Sequence, residues 1–109
     1  MKVETEGHTT IIKSTKGDVV AFLMKLTHEY KTFHKKNIIV DLTLYDQLTT
    51  KEVNSFLPLS RIHKEAKKSF VIVANADYNK ASAKLVLVPS LQEAHDMIEM
   101  DEIERDLGF

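Results

Sequence analysis

The residues best placed for chemistry follow two short apolar runs. Asp41 and Thr43 come after Ile38-Ile39-Val40, and Asn75 and Asp77 come after Phe70-Val71-Ile72-Val73. If both runs are neighbouring parallel strands, their carboxyl ends open where α/β folds bind ligands. Two carboxylates, a hydroxyl and an amide gathered there suit a small polar ligand. With a divalent ion on Asp41 and Asp77 they would suit a small hydrolase or nuclease. The same residue types also serve as turn residues that satisfy backbone groups. One base without a recognised nucleophile is not a catalytic constellation, so no catalytic residue is assigned.

A second group is Thr49-Thr50-Lys51-Glu52, which fits a capping box with Thr49 as N-cap and Glu52 at the third helical position. Backbone N–H groups and the helix dipole at such a start favour phosphate or another anion. Phosphorylation of Thr50, or of Thr49, would add about −1.5 to −2 charge and three acceptors there. Plain capping is the alternative role for Thr49.

Other chemistries are poorly supported. The five histidines, His8, His28, His34, His63 and His95, include no pair at the i, i+4 spacing of a helical zinc site. They are expected at the surface or its boundary, and no metal site is assigned. There is no cysteine, which removes disulfides and thiolate chemistry. Gly7, Gly17 and Gly108 are too scattered for a phosphate-binding loop, and no Gly-x-Ser-x-Gly is present. No cofactor is expected.

The elements that must position these residues read as follows. With 109 residues, 43% apolar and 28% charged, a single domain of residues 1–109 with its own core is expected. Residues 2–6 alternate as an edge strand, Gly7-His8 turns the chain, and residues 9–13 form a second strand. Asp18 caps a helix whose buried line is Val19, Phe22, Leu23, Leu26, Tyr30 and Phe33. Lys35-Lys36-Asn37 closes it, with Asn37 as a residue that tolerates the left-handed conformation. The strand of residues 38–43 is central. From Thr49 a helical segment buries Val53, Phe56, Leu57, Ile62 and Ala66. Pro58 either kinks it or divides it into two short helices. After the strand of residues 69–74, the ten-residue connection 75–84, which holds Tyr78, has room for a helical turn or two. A last strand, 85–88, ends at Pro89. Ser90-Leu91-Gln92-Glu93 starts a final helix with Leu91, Ala94 and Ile98 buried. Met97, Met100, Ile103 and Leu107 drift onto a neighbouring line, which marks a bend or a second apolar surface. The order is an N-terminal hairpin followed by alternating strands and helices, hence an α/β fold with a mostly parallel sheet.

On these residues the chain resembles the STAS domain family of sulphate transporters and anti-sigma factor antagonists. The likeness covers the element order. It is sharpest at Ile38-Ile39-Val40-Asp41-Leu42-Thr43, which looks like that family's strand ending in Asp-Leu-Ser. Leu48-Thr49-Thr50-Lys51 then stands where the family has Asp-Ser-Ser-Gly at a helix start. Leu48 replaces the acidic residue, and Lys51 or Glu52 the glycine. Val88-Pro89-Ser90-Leu91-Gln92-Glu93-Ala94 resembles the family's last strand and helix. In bacterial regulators of the family a serine at the helix start is phosphorylated by a partner kinase, and the resemblance puts Thr50 or Thr49 in that place. Residues 93–109 also resemble the ending of short Bacteroidetes-type proteins labelled ribonuclease Z. The His-x-His-x-Asp-His motif of that zinc hydrolase does not occur in the chain.

The resemblance implies a non-catalytic, cytoplasmic regulatory domain that docks a protein, such as an anti-sigma factor or kinase-like protein, near the start of the second long helix. Asp41, Thr43, Thr49, Thr50 and Asn75 would line that face. A separate contact surface is expected on the final helix. There Met97 and Met100 offer adaptable apolar contacts and Glu99 and Glu102 belong to an acidic rim. Through it the chain would meet an RNA-processing enzyme, as an accessory protein, or a second copy of itself. The basic stretch Arg61, Lys64, Lys67 and Lys68 is another candidate partner for those acids within the fold. The net charge of −1 argues against direct binding to nucleic acid. No apolar run reaches the roughly 18 residues of a membrane span, and the polar N-terminus is unlike a signal peptide.

Overall fold

A computed structural model describes residues 1–77 and 79–108. Strands β1 (Lys2–Glu6), β2 (Thr9–Lys13), β3 (Asn37–Asp41), β4 (Phe70–Val73) and β5 (Val86–Val88) form one sheet in the order β1-β2-β3-β4-β5. β1 is antiparallel to β2, and the remaining pairs are parallel. The expected hairpin and mostly parallel sheet are therefore present, with β3 in the middle.

Strands laid down in one direction with right-handed crossovers put every crossover on the same face. The helices between the strands do lie together: α1 (Val19–His28), α2 (Tyr30–Phe33), α3 (Thr50–Asn54) and α4 (Leu57–Glu65). Val19, Phe22, Leu26, Phe33, Val53, Phe56 and Leu59 pack from them onto Ile12, Ile38, Val40, Phe70 and Ile72. After β5 the chain crosses to the other face. There α5 (Leu91–Asp106) sets Ala94 and Ile98 on Ile11, Ile39, Val71 and Val73. Alternate strand residues thus serve two cores, which explains the apolar runs Ile38–Val40 of β3 and Phe70–Val73 of β4.

The first helical segment is not one helix. It breaks at Glu29 (φ −95°, ψ 8°), so Tyr30 and Phe33 turn inward on a separate short helix. Asn37 is no helix cap either. It opens β3 with its side chain buried, and its Oδ1 accepts from the Ser69 amide at 2.9 Å.

The second segment divides into α3 and α4, as its proline suggested. The break falls at Ser55–Phe56, and Pro58 sits in the first turn of α4, where no amide donor is needed. Restarting the helix shifts its phase. Ile62 is 53% exposed and Ala66 is exposed, contrary to the expected stripe, while Leu59, Ser60 and His63 are buried. α4 ends in a Schellman motif: the Lys68 amide donates to the His63 carbonyl and the Lys67 amide to that of Lys64. The residue between helix and exit, Lys67, is left-handed at φ 65°.

Between β4 and β5 the described residues form turns and one bridge, Leu48 to Ala76, and no helix. Tyr78, expected within this connection, lies outside the described residues. On α5 the drift of apolar residues is a second surface: Met100, Ile103 and Leu107 are exposed, as is Leu91, while Met97 packs at the edge of the core.

Candidate functional site

The carboxyl ends of β2, β3 and β4 carry three loops that are fastened together. Asp41 closes β3 and is 4% exposed. Its Oδ1 accepts from the Thr43 amide at 2.9 Å and from the Thr43 hydroxyl at 2.6 Å. This tight turn takes up the two residues in each other. The Tyr45 hydroxyl then reaches the loop after β2, bonding Ser14 Oγ at 2.8 Å and donating to the Gly17 carbonyl at 3.1 Å. On the other flank, Asn75 Nδ2 donates to the Asp46 carbonyl at 2.7 Å, and Leu48 pairs with Ala76. Ser14 and Gly17 from the loop after β2, and Asn75 and Ala76 from the loop after β4, therefore hold segment 42–48 in one shape. That segment leaves Leu44 45% exposed.

The segment leads into α3, where the capping box forms in full. The Thr49 amide donates to Glu52 Oε1 at 2.9 Å and the Glu52 amide to Thr49 Oγ1 at 3.1 Å. A carboxylate thus already occupies the helix start beside Thr49. Phosphate on Thr49 would set two anions against each other. Thr50, half-buried at the first helical position, is outside that pair of bonds.

Asp77 does not join Asp41. Its Oδ1 accepts from the Asn79 amide within its own turn at 3.0 Å, and Lys80 lies 3.9 Å from its other oxygen. Among the described residues no three His, Cys, Asp or Glu side chains are grouped to hold a metal ion. Asp41, Thr43, Thr49, Thr50 and Asn75 do belong to one end of the molecule.

The other expected contact residues lie elsewhere. α5 begins near Asp41, where Leu91 shares a small cavity with it, and ends at the amino edge of the sheet. Glu99 and Met100 are exposed on it and Glu102 is half-buried. The acids of α5 form no ion pair with Arg61, Lys64, Lys67 or Lys68 among the described residues. Instead Asp101 accepts from Ser69 Oγ at 2.7 Å, and Arg105 donates to Ser69 Oγ at 3.2 Å and Asn37 Oδ1 at 3.3 Å.

One histidine departs from the expectation of a surface position. His63 is 0% exposed. Its Nε2 is 2.8 Å from the Lys36 carbonyl and its Nδ1 is 2.6 Å from the Tyr30 hydroxyl. A carbonyl only accepts, so Nε2 carries the proton and Nδ1 accepts from Tyr30. Burial holds the His63 pKa below the ordinary 6.5, and Lys68 and His34 push the same way. The hydrogen bond to Lys36 opposes them. Burial likewise raises the Tyr30 pKa. His63 thus ties α2, α4 and the entry to β3 as a neutral ring. The signal for it was the phase: counted from a helix restarted at Leu57, His63 follows Leu59 by four and falls on the inner line.

No protein-family model matches the chain, and comparison with curated proteins finds no match.

Proposed function

We propose that this chain is a STAS-like, non-catalytic domain that regulates by docking a protein, in the manner of anti-sigma factor antagonists. The observation that carries this reading is the fastened junction at the carboxyl edge. Segment 42–48 is tied to two neighbouring loops, leaves an apolar side chain, Leu44, exposed, and leads into the start of α3. A surface held in its bound shape loses little conformational entropy on association. An exposed apolar side chain flanked along the chain by the exposed Thr43 and Thr49 suits a protein interface with a dry centre and polar edge. The motif-level likeness at residues 38–43 and 48–51 falls on these same residues.

In this reading the partner is an anti-sigma factor or kinase-like protein, and charge at the start of α3 controls the contact. Thr50 is the residue of choice for phosphorylation, because a phosphate on Thr49 would meet the Glu52 carboxylate. The test is affinity capture from the cytosol of the source cells with wild type, Thr50→Ala and Thr50→Glu as baits. Wild type and Thr50→Ala should retain the same kinase-like partner, and Thr50→Glu should lose it. Equal retention by all three overturns the charge-controlled contact. Capture of RNA-processing proteins alone would favour the accessory role through α5, whose exposed Met100, Ile103 and Leu107 run beside Glu99 and Glu104.

A further inference from the structure

A second feature lies away from the carboxyl-edge site and arises from the connection that replaces a crossover helix. Between β4 and β5 the described residues form turns, so the flank of α4 that a neighbouring helix would cover faces a groove. Leu57, Ser60, Arg61, Lys64 and Glu65 form one wall and Lys84 the other of an open groove of about 430 Å³. That volume falls within the range of small-molecule sites.

The far wall is fixed. The Ser82 amide donates to Asn54 Oδ1 at 2.9 Å, Lys64 Nζ donates to the Lys84 carbonyl at 2.7 Å, and Leu85 is anchored in the core. Ser60 is 1% exposed, and its hydroxyl has no hydrogen-bond partner among the described residues. Buried hydroxyls are nearly always paired, so an unpaired one beside a cavity points to a missing partner. Three cations, Arg61, Lys64 and Lys84, rim the groove against one acid, Glu65, and none of the four is in an ion pair among the described residues. Leu57 and the carbon stems of the long side chains make the rest of the lining apolar.

We propose that this groove binds a small amphiphilic organic anion. Its apolar body lies along Leu57 and the stems of Arg61, Lys64 and Lys84. Its anionic head meets Arg61 and Lys84, and a polar atom pairs with the Ser60 hydroxyl once rotation about the Cα–Cβ bond turns that buried oxygen to the groove. The proposal does not depend on the partner-docking reading, which concerns segment 42–48 and the start of α3.

Sodium decanoate is a suitable probe, titrated into ¹⁵N-labelled protein and followed by amide chemical shifts, with inorganic phosphate as the comparison. Decanoate should give saturable shifts centred on Leu57, Ser60, Arg61 and Lys84, and phosphate should give none at equal concentration. Arg61→Glu combined with Lys84→Glu, both exposed and tolerant of change, should weaken binding about tenfold or more. Ser60→Ala should weaken it by about fivefold. Equal binding of phosphate would reduce the site to a simple basic patch and overturn the proposal. Unchanged affinity in the double variant, shifts centred instead on Met100 and Ile103, or no saturable shift at all would also overturn it.

Discussion

Replacing His63 by leucine tests how a buried neutral ring organises the helical face of this fold. The imidazole both donates to the Lys36 carbonyl and accepts from Tyr30. Leucine fills similar space but removes both bonds. Each is worth about 0.5–1.5 kcal/mol net, and a partner left without water costs about 1–3 kcal/mol. Tyr30 and Lys36 are half-buried, so solvent recovers part of that, and the expected loss at pH 7.5 is roughly 2–3 kcal/mol. The pH dependence is the sharper readout. Folded His63 resists protonation because its pKa is lowered, whereas the unfolded histidine takes a proton near 6.5. The stability contributed by neutral His63 is full above about 6.5 and is lost as pH falls below that value. The slope reaches at most about 1.4 kcal/mol per pH unit until the folded ring also protonates. Urea unfolding followed by circular dichroism at pH 7.5, 6.5, 6.0 and 5.5 should therefore show wild type approaching the His63→Leu variant as pH falls. Other titrating groups cancel in the difference. A constant gap between the two proteins across this range would refute the assignment of a pKa-lowered, hydrogen-bonded imidazole.

Other expectations follow from the same geometry. Thr49→Ala removes the N-cap acceptor for the Glu52 amide and should cost about 1 kcal/mol in urea unfolding, whereas Thr49→Ser should be nearly neutral. Lys67→Gly should stabilise the protein by about 0.5–1 kcal/mol, since a left-handed non-glycine costs about 1–2 kcal/mol and glycine loses part of that in chain entropy. A thermal midpoint that falls in this variant would contradict the Schellman assignment. Tyr45→Phe cuts the tie between the loops after β2 and β3. Hydrogen exchange should then quicken in segments 14–18 and 42–48 while the β3 amides stay protected.

The parts of the fold legible in the sequence are those set by local chemistry. The hairpin, the caps at Asp18 and Thr49, and the apolar runs at residues 38–40 and 70–73 formed as read, because propensity, capping and burial agree there, while of the capping box expected at Ser90–Glu93 only the Ser90 half forms. The misreadings have two causes, a reset of helical phase and contacts distant in sequence. Counting one helical period through residues 50–66 places Ile62 and Ala66 inside. The helix restarts at Leu57, and that reset exchanges them for Ser60 and His63. The break at Glu29 is set by where Tyr30 meets His63, a contact 33 residues away in sequence. Asn37 reads as a cap by type, but its amide is used across strands to hold Ser69. At the carboxyl edge, Asp41, Thr43 and Asn75 were visible as strand-end residues. What joins them, Tyr45 reaching Ser14 and Gly17, depends on loops brought together only by the sheet.

The most direct test of the docking claim is a site-specific photo-crosslink in the source cells. A benzoyl-phenylalanine would be placed at Leu44 in one variant and at Met100 in another, both exposed in the free chain. Docking at the carboxyl edge predicts a discrete adduct with a kinase-like regulatory protein from position 44, lost when Thr50→Glu is added, and no adduct of that kind from position 100. An adduct from position 100 alone, or one from position 44 that survives Thr50→Glu unchanged, would contradict docking at the carboxyl edge under control of charge at α3.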